Sequence, residues 1–584
     1  MAKVVLSGNE AVARGAYEAG VHIATAYPGT PSTEILENIG RHYPEVYAEW
    51  APNEKVAVEV AMGASFGGAR SLAAMKHVGV NVAADPMFSF AYTGINGGFI
   101  LVSADDPSMH SSQNEQDNRQ YGKFAKLPVL EPSDSQEVKE FVILGYQISE
   151  RFNTPVIIRL TTRVSHSKSV VELGERKEVP IKPYVKDPAK YIVMPHHARL
   201  LHRELEERLK KLKAFSEATE VNRIEWGNRE IGIVTDSISY QYAKEVFPDA
   251  TVLKLGMVFP FPDKKVRELA AAVEKIYVVE ENEPFIEEHI RMLGIPCIGK
   301  DKVPILYELN QKRVREAFFG KSKREEIDIS DLPPRPPALC PGCPHRSVYY
   351  AAHKLKLTVT GDIGCYTLGT MPPLDAMDTC ICMGASIGNA FGLELAQGKN
   401  FSKKMIATIG DSTFIHSGMT GLAEVAYNKG ITTVVILDNG VTAMTGGQQH
   451  PATGKTLRGE TTRKLDFVAL AKAMGIEKVY ETDAYNLKEV KERLKEATTA
   501  DEPVVIVNKG KCILERRGEK FVPFAVDAEK CIGCKICLGL GCPAISFDKE
   551  KNKAQIDPIL CVGTACTLCS QVCPTEAIGE MEGK

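Results

Sequence analysis

The chain has 584 residues, of which 44% are hydrophobic and 25% charged, and a formal net charge of −3 at pH 7. This length exceeds what one hydrophobic core normally serves, so it predicts three to five domains. The nearly neutral charge provides no strong field for nucleic acid, which leaves small molecules and proteins as the expected partners. The sequence shows no signal-peptide pattern and no run of 18 apolar residues, so we expect a cytoplasmic protein that does not bind membranes.

The first 320 residues carry two successive sets of apolar runs. Five runs in the first 165 residues predict parallel strands buried on both faces: HIATAYPGT, RSLAAMKHVG, GGFILVSADD, KLPVLEPS and TPVIIRLTT. The charged stretch 197–227 has leucines at helical spacing and predicts a surface helix. Four later runs predict a second, smaller α/β sheet: REIGIVTD, ATVLKLG, KIYVVEE and IPCIGK.

A proline-rich segment, DLPPRPPALCPGCPH, reads as an extended linker to a third α/β unit. Four strands are predicted there: KLTVTGDIG, KKMIATIGDS, TTVVILDNG and EPVVIVNKG. Each ends in a loop containing Gly or Asp, the edge at which open parallel sheets bind ligands. The last sixty residues differ in being rich in cysteine. The predicted fold class is α/β, with several doubly wound parallel sheets followed by a small α+β domain.

Eight of the fifteen cysteines fall between Cys531 and Cys573, a density that indicates metal binding rather than disulfides in a cytosolic protein. The pattern is close to C-x2-C-x2-C-x3-C-P of bacterial ferredoxins, whose fourth cysteine ligates the other cluster. It predicts two [4Fe–4S] clusters, one on Cys531, Cys534, Cys537 and Cys573, the other on Cys542, Cys561, Cys566 and Cys569. Both halves depart from the standard spacing, which leaves a [3Fe–4S] form open, and structural zinc is the alternative.

The segment that begins at Gly410 predicts a magnesium site. One strand delivers Asp411 and the next delivers Asn439 twenty-eight residues later. With the carbonyl of Val441 and two diphosphate oxygens they make the oxygen ligand set that Mg²⁺ prefers. The segment resembles the thiamine diphosphate signature GDG…NN, with Ser412 for the last Gly and Asp438 for the first Asn. A pair of Rossmann-like turns without this cofactor is the alternative.

Thiamine enzymes also need a glutamate that contacts N1′ of the aminopyrimidine ring. The candidate is Glu54, which opens the helical segment EKVAVEVAMGASF, whose small residues permit close approach. Glu59 is the second candidate, and an ordinary solvated helix carboxylate is the alternative for either residue.

Five segments occur in an order typical of one family: AYPGTPSTEI, the Glu54 helix, LCPGCPHR, GDIGCY and the C-terminal cysteines. Over essentially its whole length the chain resembles the 2-oxoacid:ferredoxin oxidoreductases, and within them the alpha subunits that act on indolepyruvate. The resemblance implies four domains: a pyrimidine-type thiamine diphosphate domain at 1–185, a transketolase-C-terminal-like α/β domain at 186–325, a diphosphate- and Mg-binding thiamine domain at 326–522, and a ferredoxin-like α+β domain at 523–584.

The resemblance also implies site residues and a reaction. Glu54 is the activating glutamate, Thr30 helps to bind the substrate carboxylate, and Gly364, Cys365, Gly410 and Ser412 belong to the cofactor site. The implied reaction is oxidative decarboxylation of aryl pyruvates to aryl-acetyl-CoA and CO₂, with coenzyme A as co-substrate and ferredoxin as acceptor. Asp105 and Asp106 stand where pyruvate-cleaving relatives have an arginine, which weakens a pyruvate assignment. The alternatives are a pyruvate or branched-chain oxidoreductase, a non-oxidative thiamine-dependent decarboxylase, and an electron-transfer subunit with a vestigial thiamine domain.

Matching cysteine positions in relatives imply a third cluster close to the thiamine. Its ligands here are Cys340, Cys343, Cys365 and Cys512, with Cys380 or Cys382 as possible substitutes. Zinc, a partial site and buried free thiols remain alternatives. The family further implies a smaller, gamma-type beta subunit, an α2β2 hetero-oligomer and anaerobic chemistry.

Overall fold

The computed structural model describes residues 2–321, 330–333 and 335–580. The chain forms two compact units, Met1–Ile327 and Asp328–Lys584. The predicted boundary at 325/326 and Pro334 of the predicted linker lie outside the described residues. No helix in the described ranges is both long and apolar enough to span a bilayer.

The first unit is built on a seven-stranded sheet. Its strands, in spatial order, are Met257–Phe259, Val129–Leu130, Val156–Thr161, Phe99–Asp105, Ser71–Lys76, Ile23–Ala26 and Tyr47–Trp50. All neighbours are parallel except the first pair. The five predicted runs are therefore confirmed as strands, although the run KLPVLEPS contributes only two residues.

Helices cover this sheet, and an antiparallel pair of strands lies beside it. The helices are Gly8–Glu18, Thr33–His42, Glu54–Phe66, His77–Val82, Ala84–Thr93, Arg119–Ala125, Ser135–Phe152 and Thr162–His166. The pair consists of Lys3–Ser7 and Lys168–Glu172.

A second, four-stranded sheet completes the first unit. Its spatial order is Lys275–Val279, Asn228–Asp236, Ala250–Leu255 and Asn222–Glu225, the last strand antiparallel to its neighbour. Its helices are Pro188–Tyr191, Pro195–Ala218, Ser239–Val246, Asp263–Ala272, Phe285–Met292 and Gln311–Phe319. One continuous apolar core joins the two sheets, as Leu101 of the first and Leu253 of the second illustrate.

Two predictions in this region are wrong. The helix predicted over 197–227 ends at Ala218, and Asn222–Glu225 is a strand, because it pairs with Ala250–Leu255 and leaves the helical path. The run IPCIGK is not a strand. It makes a single bridge, between Ile298 and Tyr277, because its glycine and lysine lead directly into a turn.

The second unit is built on a six-stranded sheet, parallel throughout. Its spatial order is Thr379–Cys380, Thr358–Gly361, Met405–Gly410, Thr433–Asp438, Val504–Lys509 and Lys478–Asp483. The four predicted runs are confirmed as four of these strands. The helices are Arg346–Leu355, Ala385–Gln397, Lys399–Ser402, Asp411–Thr413, Met419–Tyr427, Phe467–Ala473 and Leu487–Ala497, with a π-helical turn at Phe414–Gly418.

After residue 523 the described chain consists of short elements around the cysteines. Phe524–Val526 pairs with Ile578–Glu580, and Ile545–Asp548 pairs with Lys553–Ile556, both antiparallel. Short helical turns at Ile536–Leu540, Gly563–Ala565 and Leu568–Val572 lie between these strands along the chain.

Candidate active site

In the first unit, the carboxyl ends of three neighbouring parallel strands meet at one edge. Thr30 lies in the loop after Ile23–Ala26, Lys76 ends Ser71–Lys76, and Asp105 ends Phe99–Asp105. The Thr30 loop is held in shape by Thr33 Oγ1, which accepts from Gly29 N at 2.9 Å, and by Ser111 Oγ, which donates to the Thr30 carbonyl at 3.2 Å. This is the edge at which open α/β sheets bind ligands.

Glu54 opens the helix Glu54–Phe66 and is only 5% exposed. The side chain of Asn53 caps the helix by accepting a hydrogen bond from Val56 N at 2.9 Å. Gly79 lies directly against Glu54, because a Cβ at position 79 would come 2.6 Å from both Cγ and Oε1 of the glutamate. Glu59, the second candidate, is 38% exposed and pairs with Lys55. Burial therefore distinguishes Glu54 from an ordinary surface carboxylate.

Asp105 and Asp106, which stand in place of the arginine of pyruvate-cleaving relatives, are both fully engaged in the fold. Asp105 Oδ2 binds Arg159 Nε at 2.5 Å and accepts from Asn118 N at 2.9 Å. Burial alone would raise the pKa of Asp106, but hydrogen bonds from Ser112, Ser111 and Thr162 hold it below its usual range.

In the second unit, Asp411 and Asn439 follow adjacent parallel strands, Met405–Gly410 and Thr433–Asp438. Asp411 accepts from Ser412 N and Gly440 N, each at 2.8 Å, and Asn439 Oδ1 accepts from Val441 N at 3.0 Å. Gly440 has a φ of +74°, a left-handed conformation that L side chains rarely adopt. The sharp turn after Asn439 thus brings the Gly440 amide to Asp411.

The electrostatics of this loop suit a divalent cation. Burial, followed by the nearby Asp411 carboxylate, raises the pKa of Asp438 to about 6. Asp411 and Asn439 present a carboxylate and an amide oxygen, hard ligands of the kind that Mg²⁺ prefers, and a dication would offset the repulsion between the Asp411 and Asp438 carboxylates. The residues present therefore fit a magnesium-held diphosphate, with Ser412 Oγ accepting from Thr442 Oγ1 at 3.0 Å on the same turn.

The four cysteines of the predicted third cluster lie within electrostatic range of one another, and one of them adjoins the Asn439 loop. The pKa of Cys365 is raised to about 11, chiefly by burial and then by Cys512 and Cys340. The pKa of Cys343 is raised to about 12, again chiefly by burial, and the nearby Cys340 and Cys365 raise it further. The backbone amide of Cys512 donates to the carbonyl of Asn439 at 3.0 Å, which ties this cysteine group to the candidate magnesium loop.

The eight C-terminal cysteines line two separate cavities. One cavity is lined by Cys542, Cys561, Cys566 and Cys569, the other by Cys531, Cys534, Cys537 and Cys573. Backbone amides point at two of the sulfurs: Gly563 N lies 3.3 Å from Cys561 Sγ, and Ala577 N lies 3.2 Å from Cys573 Sγ.

These two sets of four are the sets that the ferredoxin-type pattern predicts, and amide donors of this kind stabilise thiolates. Among the described residues no group of three or more His, Cys, Asp or Glu side chains is arranged to hold a metal ion.

Two family profiles match the chain. One is described as the pyruvate flavodoxin/ferredoxin oxidoreductase thiamine diphosphate-binding domain and matches residues 14–203, and the other as the C-terminal TPP-binding domain of thiamine pyrophosphate enzymes and matches residues 362–508. Indolepyruvate oxidoreductase subunit IorA of Archaeoglobus fulgidus is 43% identical, with 99% of this chain and 97% of the relative covered. The chain belongs to the IorA family.

Other IorA-family members and a more distant protein are also similar. The IorA subunit of Thermococcus kodakarensis is 42% identical, with 99% of this chain and 97% of the relative covered. A solved 2-oxoglutarate:ferredoxin oxidoreductase from Magnetococcus marinus is 17% identical, with 54% of this chain and 64% of that chain covered and a TM-score of 0.46.

The structure of this IorA-family chain adds two histidines that sequence reasoning missed. His450 Nε2 lies 3.3 Å from Asp411 Oδ2, and His345 Nε2 lies 3.2 Å from Asn439 Nδ2. Burial lowers the pKa of His345 to about 4, so the ring is neutral at pH 7. The only signal for them was their presence in LCPGCPHR and in GGQQHP, beside motifs already singled out.

Gly364 and Gly410, both assigned to the cofactor site, share one neighbour. A Cβ at either position would meet the ring of Tyr366, at 2.3 Å from Gly364 and 2.7 Å from Gly410. Tyr366 is buried, and its hydroxyl donates to the carbonyl of Ile363 at 2.9 Å. The two glycines therefore allow this ring to pack between the strand end that carries Asp411 and the turn that carries Cys365.

Proposed function

We propose that this chain is the catalytic alpha subunit of a thiamine-diphosphate-dependent indolepyruvate:ferredoxin oxidoreductase. The reaction converts indolepyruvate, coenzyme A and oxidised ferredoxin to indoleacetyl-CoA, CO₂ and reduced ferredoxin. The observation that carries the proposal is the 43% identity to an IorA subunit over 99% of the chain. Asp105 and Asp106 make hydrogen bonds within the fold and lie in the segment where pyruvate-cleaving relatives carry an arginine, which weakens a pyruvate assignment.

The proposal gives each candidate residue a role. Bound thiamine diphosphate supplies the carbanion chemistry that cleaves the bond to the carboxylate carbon. Glu54, buried against Gly79, would hold the carboxyl proton that is exchanged with the aminopyrimidine ring of the bound cofactor. Asp411, Asn439 and the carbonyl of Val441 are the residues that would hold Mg²⁺, which would anchor the diphosphate. Thr30, on the loop braced by Ser111, contacts the substrate.

In this proposal the cysteines hold the iron–sulfur clusters that pass electrons to ferredoxin. Ferredoxins take one electron at a time, so a two-electron oxidation needs iron–sulfur relays. We assign one [4Fe–4S] cluster to Cys340, Cys343, Cys365 and Cys512 beside the Asn439 loop, and two more to the C-terminal cysteine sets, which form a bacterial-ferredoxin-like domain. A smaller beta subunit of the gamma type completes an α2β2 enzyme, which sedimentation of the co-expressed chains tests by mass.

An anaerobic assay tests the reaction itself. The enzyme, assembled from this chain and its partner subunit, is expected to reduce a viologen dye. The assay contains thiamine diphosphate, Mg²⁺, coenzyme A and indolepyruvate. Omission of thiamine diphosphate, or addition of EDTA before the cofactor, is expected to abolish reduction. CO₂ release that continues at the full rate without any electron acceptor would instead identify a non-oxidative decarboxylase.

Replacing Cys340 with alanine tests the third cluster. Because Cys340 is one of the four cysteines that we assign to this cluster, we expect the variant to lose about four iron atoms and the matching labile sulfide per chain. Cys297→Ala is the matched control, since Cys297 lies in the first unit and joins none of the three groups. An unchanged iron content in Cys340→Ala, measured on anaerobically purified protein, would remove the third cluster from the account.

A further inference from the structure

Lys76 is a buried lysine whose ammonium group makes no direct ion pair in the part of the chain that the structure describes. It is 8% exposed, and its Nζ donates to the carbonyl of Ser111 at 2.5 Å and reaches the Ser111 hydroxyl at 3.4 Å. Lys139 and Lys254 are buried to a similar degree, but each contacts a glutamate, Glu18 and Glu137 respectively. Among the described residues no carboxylate oxygen lies within 4.0 Å of Lys76 Nζ. Burying a charged ammonium group without an ion-pair partner costs free energy, and binding of an anionic ligand would offset that cost.

The position of Lys76 places it among the candidate substrate-site residues. It ends the strand Ser71–Lys76, next to the strand that leads to Thr30. A Cβ at Gly29 would come 3.1 Å from Lys76 Cβ, so the Thr30 loop packs directly on the lysine. The Ser111 hydroxyl contacts both the Thr30 loop and Lys76, because it donates to the Thr30 carbonyl and lies 3.4 Å from Lys76 Nζ. Three residues further on, Gly79 abuts Glu54.

The other cations at this end of the sheet are already neutralised. Arg159 binds Asp105 and Glu131. Arg163 pairs with Glu308, and the neighbouring His77 is buried with its pKa lowered, chiefly by burial. A 2-oxo acid carries a carboxylate that must be matched by a positive charge in a site from which water is excluded. Lys76 differs from these cations because Asp106, the carboxylate that acts on its charge, lies beyond ion-pair distance of the ammonium group.

We propose that Lys76 binds the carboxylate of the 2-oxo acid substrate and thereby fixes which bond is cleaved. The inference rests on the proposed function and deepens it. The ammonium group holds the carboxylate beside Thr30, while the Ser111 carbonyl and hydroxyl hold the lysine in place. The side chain of the substrate points away from this contact, so Lys76 selects for a 2-oxo acid of any side chain rather than for the indole ring.

The ionisation of Lys76 agrees with this role. Burial lowers its pKa to about 8, and the carboxylate of Asp106 opposes that shift. The other titratable groups around it are His77 next to it along the chain, Asp105 on the adjacent strand and Glu54 across Gly79. Because the ammonium form predominates below about pH 8, substrate binding is expected to weaken as the pH rises through that value.

The test compares Lys76→Met, Lys76→Gln and Lys76→Arg in the holoenzyme, the chain with its partner subunit, in the anaerobic viologen assay. We expect Lys76→Met and Lys76→Gln to raise the KM for indolepyruvate about 10- to 100-fold, the cost of losing a charge-assisted contact, with the KM for coenzyme A unchanged. Lys76→Arg is expected to restore much of the binding. Lys55→Met is the matched control, since the half-exposed Lys55 follows Glu54 in the chain and pairs with Glu59.

A pH profile separates this role from a purely structural one. At saturating coenzyme A, kcat/KM for indolepyruvate in the wild type is expected to fall above about pH 8, and Lys76→Arg is expected to lose that fall because arginine stays protonated. An unchanged KM in Lys76→Met, or an equal rise in the KM for coenzyme A, would overturn the assignment of Lys76. If the wild-type holoenzyme failed to reduce the dye with any 2-oxo acid, the proposed function itself would be overturned instead.

Discussion

Replacing Glu54 with glutamine is expected to lower kcat about 10²- to 10⁴-fold, the usual contribution of a positioned proton-transfer group. Glu54 is 5% exposed and lies against Gly79 at the start of its helix. Glutamine keeps the shape and the helix start but removes the exchangeable carboxyl proton. The measurement is steady-state dye reduction with indolepyruvate, together with a thermal melt that shows the variant to be folded.

Glu59→Gln is the matched control for that experiment. Glu59 lies on the same helix, is 38% exposed and pairs with Lys55, so its loss is expected to change kcat by less than about twofold. A result in which Glu59→Gln is inactive and Glu54→Gln retains its rate would reverse the assignment of the two glutamates.

Replacing Arg119 with methionine is expected to destabilise the first unit by about 3–5 kcal/mol, because it leaves buried carboxylates without their counter-charge. Arg119 has no exposed side-chain surface. It binds Asp236 at 2.8 Å, Glu280 at 2.7 Å, Asp117, and the carbonyls of Glu281 and Glu283. Asp236 ends one strand of the four-stranded sheet and Glu280 follows another. Arg119, at the start of a helix that belongs to the first sheet's layer, therefore links that layer to the second sheet.

Tryptophan fluorescence makes this effect measurable in the intact chain. Both tryptophans, Trp50 and Trp226, lie in the first unit, so their emission during urea unfolding reports on that unit. Arg163→Met is the matched control: Arg163 is 52% exposed and pairs with Glu308, an arrangement worth about 0–1 kcal/mol. Equal shifts in the unfolding midpoint for the two variants would show that the buried network contributes no more than a surface pair.

The sequence predicted those parts of the site that depend on local pattern. Apolar runs ending in Asp or Gly identified the strands that deliver Asp411 and Asn439, because buried parallel strands read as continuous hydrophobic stretches. Cysteine spacing separated the C-terminal cysteines into two sets that the structure places around two cavities. The assignment of these residues to cofactors remains a prediction.

What the sequence did not predict depends on contacts between distant segments. The strand Tyr47–Trp50 has four residues, too few to show a clear periodicity. The strand Met257–Phe259 joins the first sheet from over 100 residues beyond its partner. The helix predicted through residue 227 stopped early because a strand pairing replaced it. The roles of Lys76 and Arg119 depend on contacts with residues that are distant in the sequence, so the sequence alone could not indicate them.

The central claim is that this chain oxidises an aryl 2-oxo acid, and a specificity measurement tests it most directly. The holoenzyme is assayed anaerobically with coenzyme A and a viologen dye, and kcat/KM is compared for indolepyruvate and pyruvate. The account predicts rapid dye reduction with indolepyruvate and little with pyruvate. A higher kcat/KM for pyruvate would contradict the substrate assignment, and no dye reduction with either 2-oxo acid would contradict the proposed reaction.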